Sequence, residues 1–430
     1  MSTAMSAAGQ IAGAESRLAL LWRTGYRYGL SSLGPVAVSA AHFVASVLFL
    51  RMLKPHDFGQ FSFLMIVVPF CLGASGSLLG APAFLTRGKD DATARAEIFT
   101  LRKASLVVAL LAGIAVAALM ASTQASVATT LLFGLYGSLQ TVRGFARSLS
   151  NLQGRIEDVA ASDVFYGGLL VTGLAALAVS GGLTMHNAAV VLVFATAAAM
   201  IPFGADHLFE LARAAAAPTL KAYVPLWRDV SRWSLLGVVL TEVAANAHAY
   251  LVTFVSGPGA FGLLALGALF MRPASLVLGA LPDIDQPVMA RRIGAGDLKG
   301  AFRVVNEFRT ATGAVLAATI LLSAVLVVWF PHLLLKHYGV PEVLVVLAFW
   351  IAVTALRVVR TPETVFLQAT GSYPALARIS AYAGAVTLAL CLVLLLAFGP
   401  VASLGGVVAG EIVITATVFP MTARWRRRFA

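Results

Sequence analysis

Arg272 stands in the middle of an apolar run, ALFMRPASLVLGA, where a permanent positive charge is expensive and its default reading is functional. A guanidinium is always charged and presents a rigid fork of donors, a geometry suited to an oxyanion. Pro273 follows it, and proline breaks the helical ladder and frees carbonyls. Those carbonyls, or Glu242, would be the partners of a purely structural arginine, and on the residues alone both readings stand. Glu242 begins a polar stripe: with Asn246, Tyr250 and Thr253 it keeps i, i+4, i+8, i+11 spacing, which puts four polar groups on one face of an otherwise apolar helix. Ser39, His42 and Ser46 make a weaker stripe earlier in the chain. His248 lies off the first stripe, and both histidines read as structural. Asp163 reads as a helix cap, and Glu411 is a further acidic candidate in the last apolar run. Asp283 and Asp285 have no neighbouring His or Cys and fall short of a metal-ligand set. No G-x-x-x-x-G-K-[ST] loop is present, which excludes ATP-driven chemistry within this chain.

The elements that carry these side chains must be transmembrane helices. Of 430 residues, 59% are hydrophobic and only 12% charged, and the mean hydropathy is +0.88. Apolar runs recur at about 30–52, 61–80, 104–122, 126–142, 162–179, 188–203, 233–255, 261–281, 310–330, 340–356, 379–397 and 404–422. Most are close to the ~20 residues that cross a hydrocarbon core, and lipid leaves backbone groups no partner but their own helix. The expectation is an all-α polytopic membrane protein of about twelve spans. The net charge of +12 could signal nucleic acid, but nearly all of the 31 basic residues fall in alternate inter-span segments. That partition argues against nucleic acid and predicts cytoplasmic N- and C-termini. Arg17, Arg23 and Arg27 precede the first span without a short apolar core and cleavage site, so no removable signal peptide is read. Cys71 and Cys391 sit in separate apolar runs and read as buried thiols.

An internal repeat organises the spans. LKPHDFGQF after the first reappears as SGPGAFGLL after the seventh, with Pro55, Phe58 and Gly59 matching Pro258, Phe261 and Gly262. Pro ends one helix and starts the next, and Gly permits close approach. Copies separated by six spans enter the membrane from the same side, so the halves are parallel repeats: a six-helix bundle over 1–203, a cytoplasmic linker over 204–232 and a second bundle over 233–430. Transporters of this plan place the substrate site at a central cavity between the halves.

On the segments RMLKPHDFGQFSF, LVTFVSGPGAFGLLALG, RPASLVLGALP and LLLKHYGVPEVLVVLAF, the chain resembles the polysaccharide (Wzx-type) flippases of the multidrug/oligosaccharidyl-lipid/polysaccharide exporter superfamily. The resemblance implies a flippase that moves undecaprenyl-pyrophosphate-linked oligosaccharide across the bacterial inner membrane by alternating access, without a cofactor and without being an enzyme. It implies that Arg272 anchors the pyrophosphate and that Arg23 and Arg27, one turn apart before the first span, join it as in lipid II flippases. Ordinary headgroup contact is the plainer reading of those two. Asn246 and Tyr250 would face the cargo, and Glu242 would couple transport to H+ or Na+. The chain departs from the family where an Asp-Arg pair is common: His248 and Ala249 stand there. The rival readings are a drug or small-molecule exporter on the same scaffold, since fold does not fix substrate, and a membrane-embedded sugar polymerase or glycosyltransferase. The short connectors between spans disfavour the latter.

Overall fold

The computed structural model describes residues 33–86, 89–216 and 220–429. Every element is helical, with no strand among the described residues. The first half contains α1 (Leu33–Met52), α2 (Pro55–Phe84), α3 (Asp91–Ala121), α4 (Val127–Leu152), α5 (Ile156–Val179) and α6 (Met185–Phe203). A short α7 (Ala205–Ala215) follows. The rest comprises α8 (Tyr223–Ser256), α9 (Pro258–Phe270), α10 (Arg272–Gly294), α11 (Leu298–Trp329), α12 (Val340–Ala369), α13 (Tyr373–Phe398) and α14 (Val401–Arg427).

Among the described residues, ten of these helices are long and apolar enough to cross a bilayer, and the bent pair α9–α10 adds an eleventh. Their outward side chains confirm the solvent: Leu110, Ile114, Phe194, Leu321, Val328 and Phe398 are each more than half exposed. Such a coat would drive aggregation in water and is at home against acyl chains. The chain is a multi-pass membrane protein. The fourth expected span, 126–142, lies on α4, which has 26 residues but is not among the ten. Thr129, Thr130, Gln140, Thr141 and Arg143 interrupt its apolar residues, and all five are buried. The segment read as a linker, 204–232, is largely helical: it holds α7, and its last ten residues run into the seventh span as part of α8.

Polar caps set several helix starts. Asp90, Ser126, Thr184 and Asp297 accept from the backbone N–H groups of Thr93, Thr129, Asn187 and Gly300. The bond from Thr93 holds the Asp90 carboxyl below the usual carboxylate range. Between helices, small residues set the spacing, because lipid supplies no hydrophobic push between apolar faces. A Cβ on Gly134 would lie 2.9 Å from the Gly113 carbonyl, and one on Gly137 would lie 2.8 Å from Val116. At this α3–α4 contact Ser138 Oγ donates across to Ala109 O at 2.9 Å. The α13–α14 contact is built the same way, with Gly406 on Cys391 and Gly410 on Thr387. Cys71 and Cys391 are buried and free.

The two copies of the repeated turn pack on each other. Gly257, at φ +85, turns the chain from α8 into α9, and Pro258 opens α9 as Pro55 opens α2. A Cβ added to Gly59 would fall on the Pro258 carbonyl, and one added to Gly262 would lie 2.9 Å from the Pro55 carbonyl. Phe58 and Phe261 are both buried beside them.

Candidate functional site

Three cavities surround Met65 of α2, which lines all of them. The first, about 180 Å³, is lined by Ser46, Ser62, Asn246, His248, Arg272 and Trp350 among others. Ser39, His42, Gln140, Arg143 and Arg147 supply the polar lining of the second, about 250 Å³, together with Tyr136. Glu242, Asn246 and Thr241 give the third, about 560 Å³, its polar side opposite Pro69 and Phe70. Helices from both halves of the chain contribute to the first and third.

Arg272 sits at the 62° break between α9 and α10, with Pro273 in the first turn of α10. The break turns its guanidinium into the first cavity, where it has no carboxylate partner among the described residues. Glu242 does not pair with it. Instead Asn246 Nδ2 donates to Glu242 Oε2 at 3.0 Å and Tyr250 OH donates to Oε1 at 2.8 Å. The stripe spacing therefore closes on itself within α8: both carboxylate oxygens accept from neutral donors of their own helix. Thr253 is buried farther along the same helix, its hydroxyl without a partner.

Asp163 is not a helix cap. It lies inside α5, fully buried, and is clamped by two arginines of α4: Arg143 Nη2 at 2.5 Å and Arg147 Nη2 at 2.7 Å. Arg143 also donates to Ser162 and Gln140 and lies over the Tyr166 ring. Tyr166 OH in turn is hydrogen-bonded to His42 Nε2 at 2.9 Å. The second half repeats the device. Glu411 of α14 takes Arg357 and Arg360 of α12 at 2.6 and 2.5 Å, and Glu363 of α12 takes Arg309 and Arg426 at 2.6 and 3.3 Å. These six arginines read in the sequence as charge on one membrane face; the fold commits them to buried carboxylates, where removing a carboxylate strands two cations.

His248, off the stripe and taken as structural, lines the first cavity. Its ring meets Trp350 edge-on at 5.5 Å, and its Nδ1 is buried without a partner. Trp350 was not singled out from the sequence; a lone Trp in an apolar run gives no local sign of facing a cavity. Arg143 and Arg147 did leave a sign, i and i+4 spacing on an uncommonly polar helix. Arg23 and Arg27 lie outside the described residues.

No protein-family model matches the sequence, and no curated protein matches it. Solved structures do match. The inward-facing conformation of a multidrug resistance MATE family transporter of the MOP superfamily superposes with a TM-score of 0.67 at 12% identity, over 93% of this chain and 98% of that one. The lipid II flippase MurJ in an inward closed conformation gives 0.69 at 12% identity, over 92% and 87%. The outward-facing conformation of a multidrug resistance MATE family transporter gives 0.57 at 12% identity, over 93% and 95%. The chain has the fold of MOP-superfamily transporters.

Proposed function

We propose that this protein is a flippase that moves undecaprenyl-pyrophosphate-linked oligosaccharide across a bacterial inner membrane by alternating access. The observation that carries this reading is Arg272: an unpaired guanidinium turned into an interior cavity between the halves is a costly arrangement that an anionic cargo group would repay. Membrane lipid would hold the polyprenyl tail while sugar and pyrophosphate cross the cavity. Asn246 and Tyr250 would contact the cargo, Arg23 and Arg27 would supply further cationic groups, and Glu242 would couple the cycle to a proton or sodium gradient. The halves, 1–203 and 233–430, would rock against each other with 204–232 between them and both termini cytoplasmic. The Gly59–Gly262 contact closes one end, and the higher likeness to an inward-facing form supports reading that end as the periplasmic one.

One observation favours a second reading, an exporter of small organic cations. Glu242 is a carboxylate without a cationic partner, and it faces a cavity walled by Met65, Ile66 and Phe70. Reconstituted vesicles separate the two. In the flippase, Arg272→Ala abolishes movement of polyprenyl-pyrophosphate-linked sugar while protein level and melting temperature stay near the parent's, and Arg272→Lys restores it in part because a point charge replaces the fork. Flipping by Arg272→Ala at the parent's rate would sink the flippase reading. Efflux of a lipophilic cation that survives Arg272→Ala but not Glu242→Gln would select the exporter.

A further inference from the structure

Within the Arg143–Asp163–Arg147 group, Arg147 holds the donors that are left over. Arg143 is engaged on every side: Nε reaches Ser162, Nη1 reaches Gln140, Nη2 reaches Asp163, and the side chain is only 4% exposed. Arg147 gives Nη2 to Asp163, but its Nε is buried and meets no acceptor, and 31% of its side chain remains exposed. Two guanidinium groups against one carboxylate also leave one positive charge in excess. Both arginines line the second cavity, whose other polar lining, Gln140, Tyr136, His42 and Ser39, carries groups able to donate hydrogen bonds. That cavity adjoins the one lined by Arg272 across Met65.

A buried donor without an acceptor and an uncompensated charge are answered by the same thing, an oxyanion. We propose that Arg147, braced by Asp163 and Arg143, is a second anion subsite that takes a phosphoryl or carboxylate group of the cargo. The proposal rests on the flippase reading and adds to it: the cargo meets a cationic point on α4 as well as one on α10, either at once or in passage. Two parts of a lipid-linked glycan carry this chemistry, the diphosphate of the anchor and the carboxylate of an acidic sugar.

Full-length protein in lipid nanodiscs tests it by equilibrium binding of three probes: a sugar-free polyprenyl diphosphate, the same lipid with a neutral disaccharide, and the same lipid with a glucuronate-containing disaccharide. Arg147→Gln is the informative variant, because Arg143 still neutralises Asp163 and no bare carboxylate is left buried. Arg147→Lys, which keeps the charge and loses the fork, carries the test if the first variant melts early. Weakening of all three probes by about tenfold, the scale of one charge-assisted contact, supports the subsite and assigns it the diphosphate. Weakening of the glucuronate probe alone supports it and assigns it the sugar acid. Parent-like binding of every probe overturns it. Arg272→Gln, measured beside it, keeps the two ideas apart: loss with Arg272→Gln but not Arg147→Gln removes the subsite and leaves the flippase standing, whereas loss with neither removes both.

Discussion

A carboxylate gripped by two guanidinium groups and a carboxylate held by an amide and a phenol are different chemical objects, even when both are acids inside transmembrane helices. Asp163, Glu363 and Glu411 belong to the first kind. Each is paired with two arginines, and removing it would strand two cations in protein. Glu242 belongs to the second. Asn246 and Tyr250 are neutral, so the loss of its charge strands nothing, and both partners can rotate to suit a protonated or cation-bound form. We therefore expect Glu242→Gln to bind lipid-linked cargo as the parent does while its gradient-driven turnover in vesicles falls by about tenfold or more, the scale of a typical coupling free energy. Gradient-driven turnover at the parent's rate would remove Glu242 from the coupling role. The two kinds of acid were unequally legible. The Glu242 stripe could be read because its partners lie one and two turns away on the same helix. Asp163 could not, because its partners lie on α4, and only the fold brings that helix against α5.

Between elements, the contact that the proposed function puts to use is α2 on α9. Gly59 and Gly262 have no side chain to yield: a Cβ on Gly59 would fall on the Pro258 backbone carbonyl, which cannot step aside, and one on Gly262 would meet the Tyr338 hydroxyl at 2.8 Å and the Pro55 backbone carbonyl at 2.9 Å. Gly59→Ala and Gly262→Ala should therefore hold the Pro55/Pro258 end ajar. With a cysteine placed at Leu53, which is buried at that end, and the two natural thiols buried, labelling by a membrane-impermeant maleimide should rise several-fold in either variant, at a protein level near the parent's. Unchanged labelling in both would show that the contact does not seal that end. Here the sequence was informative for a physical reason: Pro-x-x-Phe-Gly recurs because both turns meet the same demand. It did not reveal that the demand comes from the other copy. In the same way the apolar runs located the helices, while α4 read poorly because its Thr, Gln and Arg side chains are hidden by neighbours rather than by its own composition.

At the scale of the molecule, orientation is the property on which the direction of the proposed transport depends. Six of the arginines assigned to one face are tied to Asp163, Glu363 and Glu411, so they have a structural duty apart from topology. The basic residues that remain near helix ends, among them Arg95, Arg155, Arg291, Arg303 and Arg378, are the ones on which the expected orientation rests. Reporter fusions at Gly181 and Pro400 should give periplasmic signals and one at Ala430 a cytoplasmic signal; a periplasmic signal at Ala430 would leave an odd number of crossings and break the parallel-repeat scheme. The meeting of Gly59 with Pro258 and of Gly262 with Pro55 has a meaning beyond gating. Each contact is the image of the other under a half-turn, which is the isologous geometry of a symmetric dimer. A single copy of this turn is thus self-complementary, and two half-length chains could close the same seal that one full-length chain closes within itself.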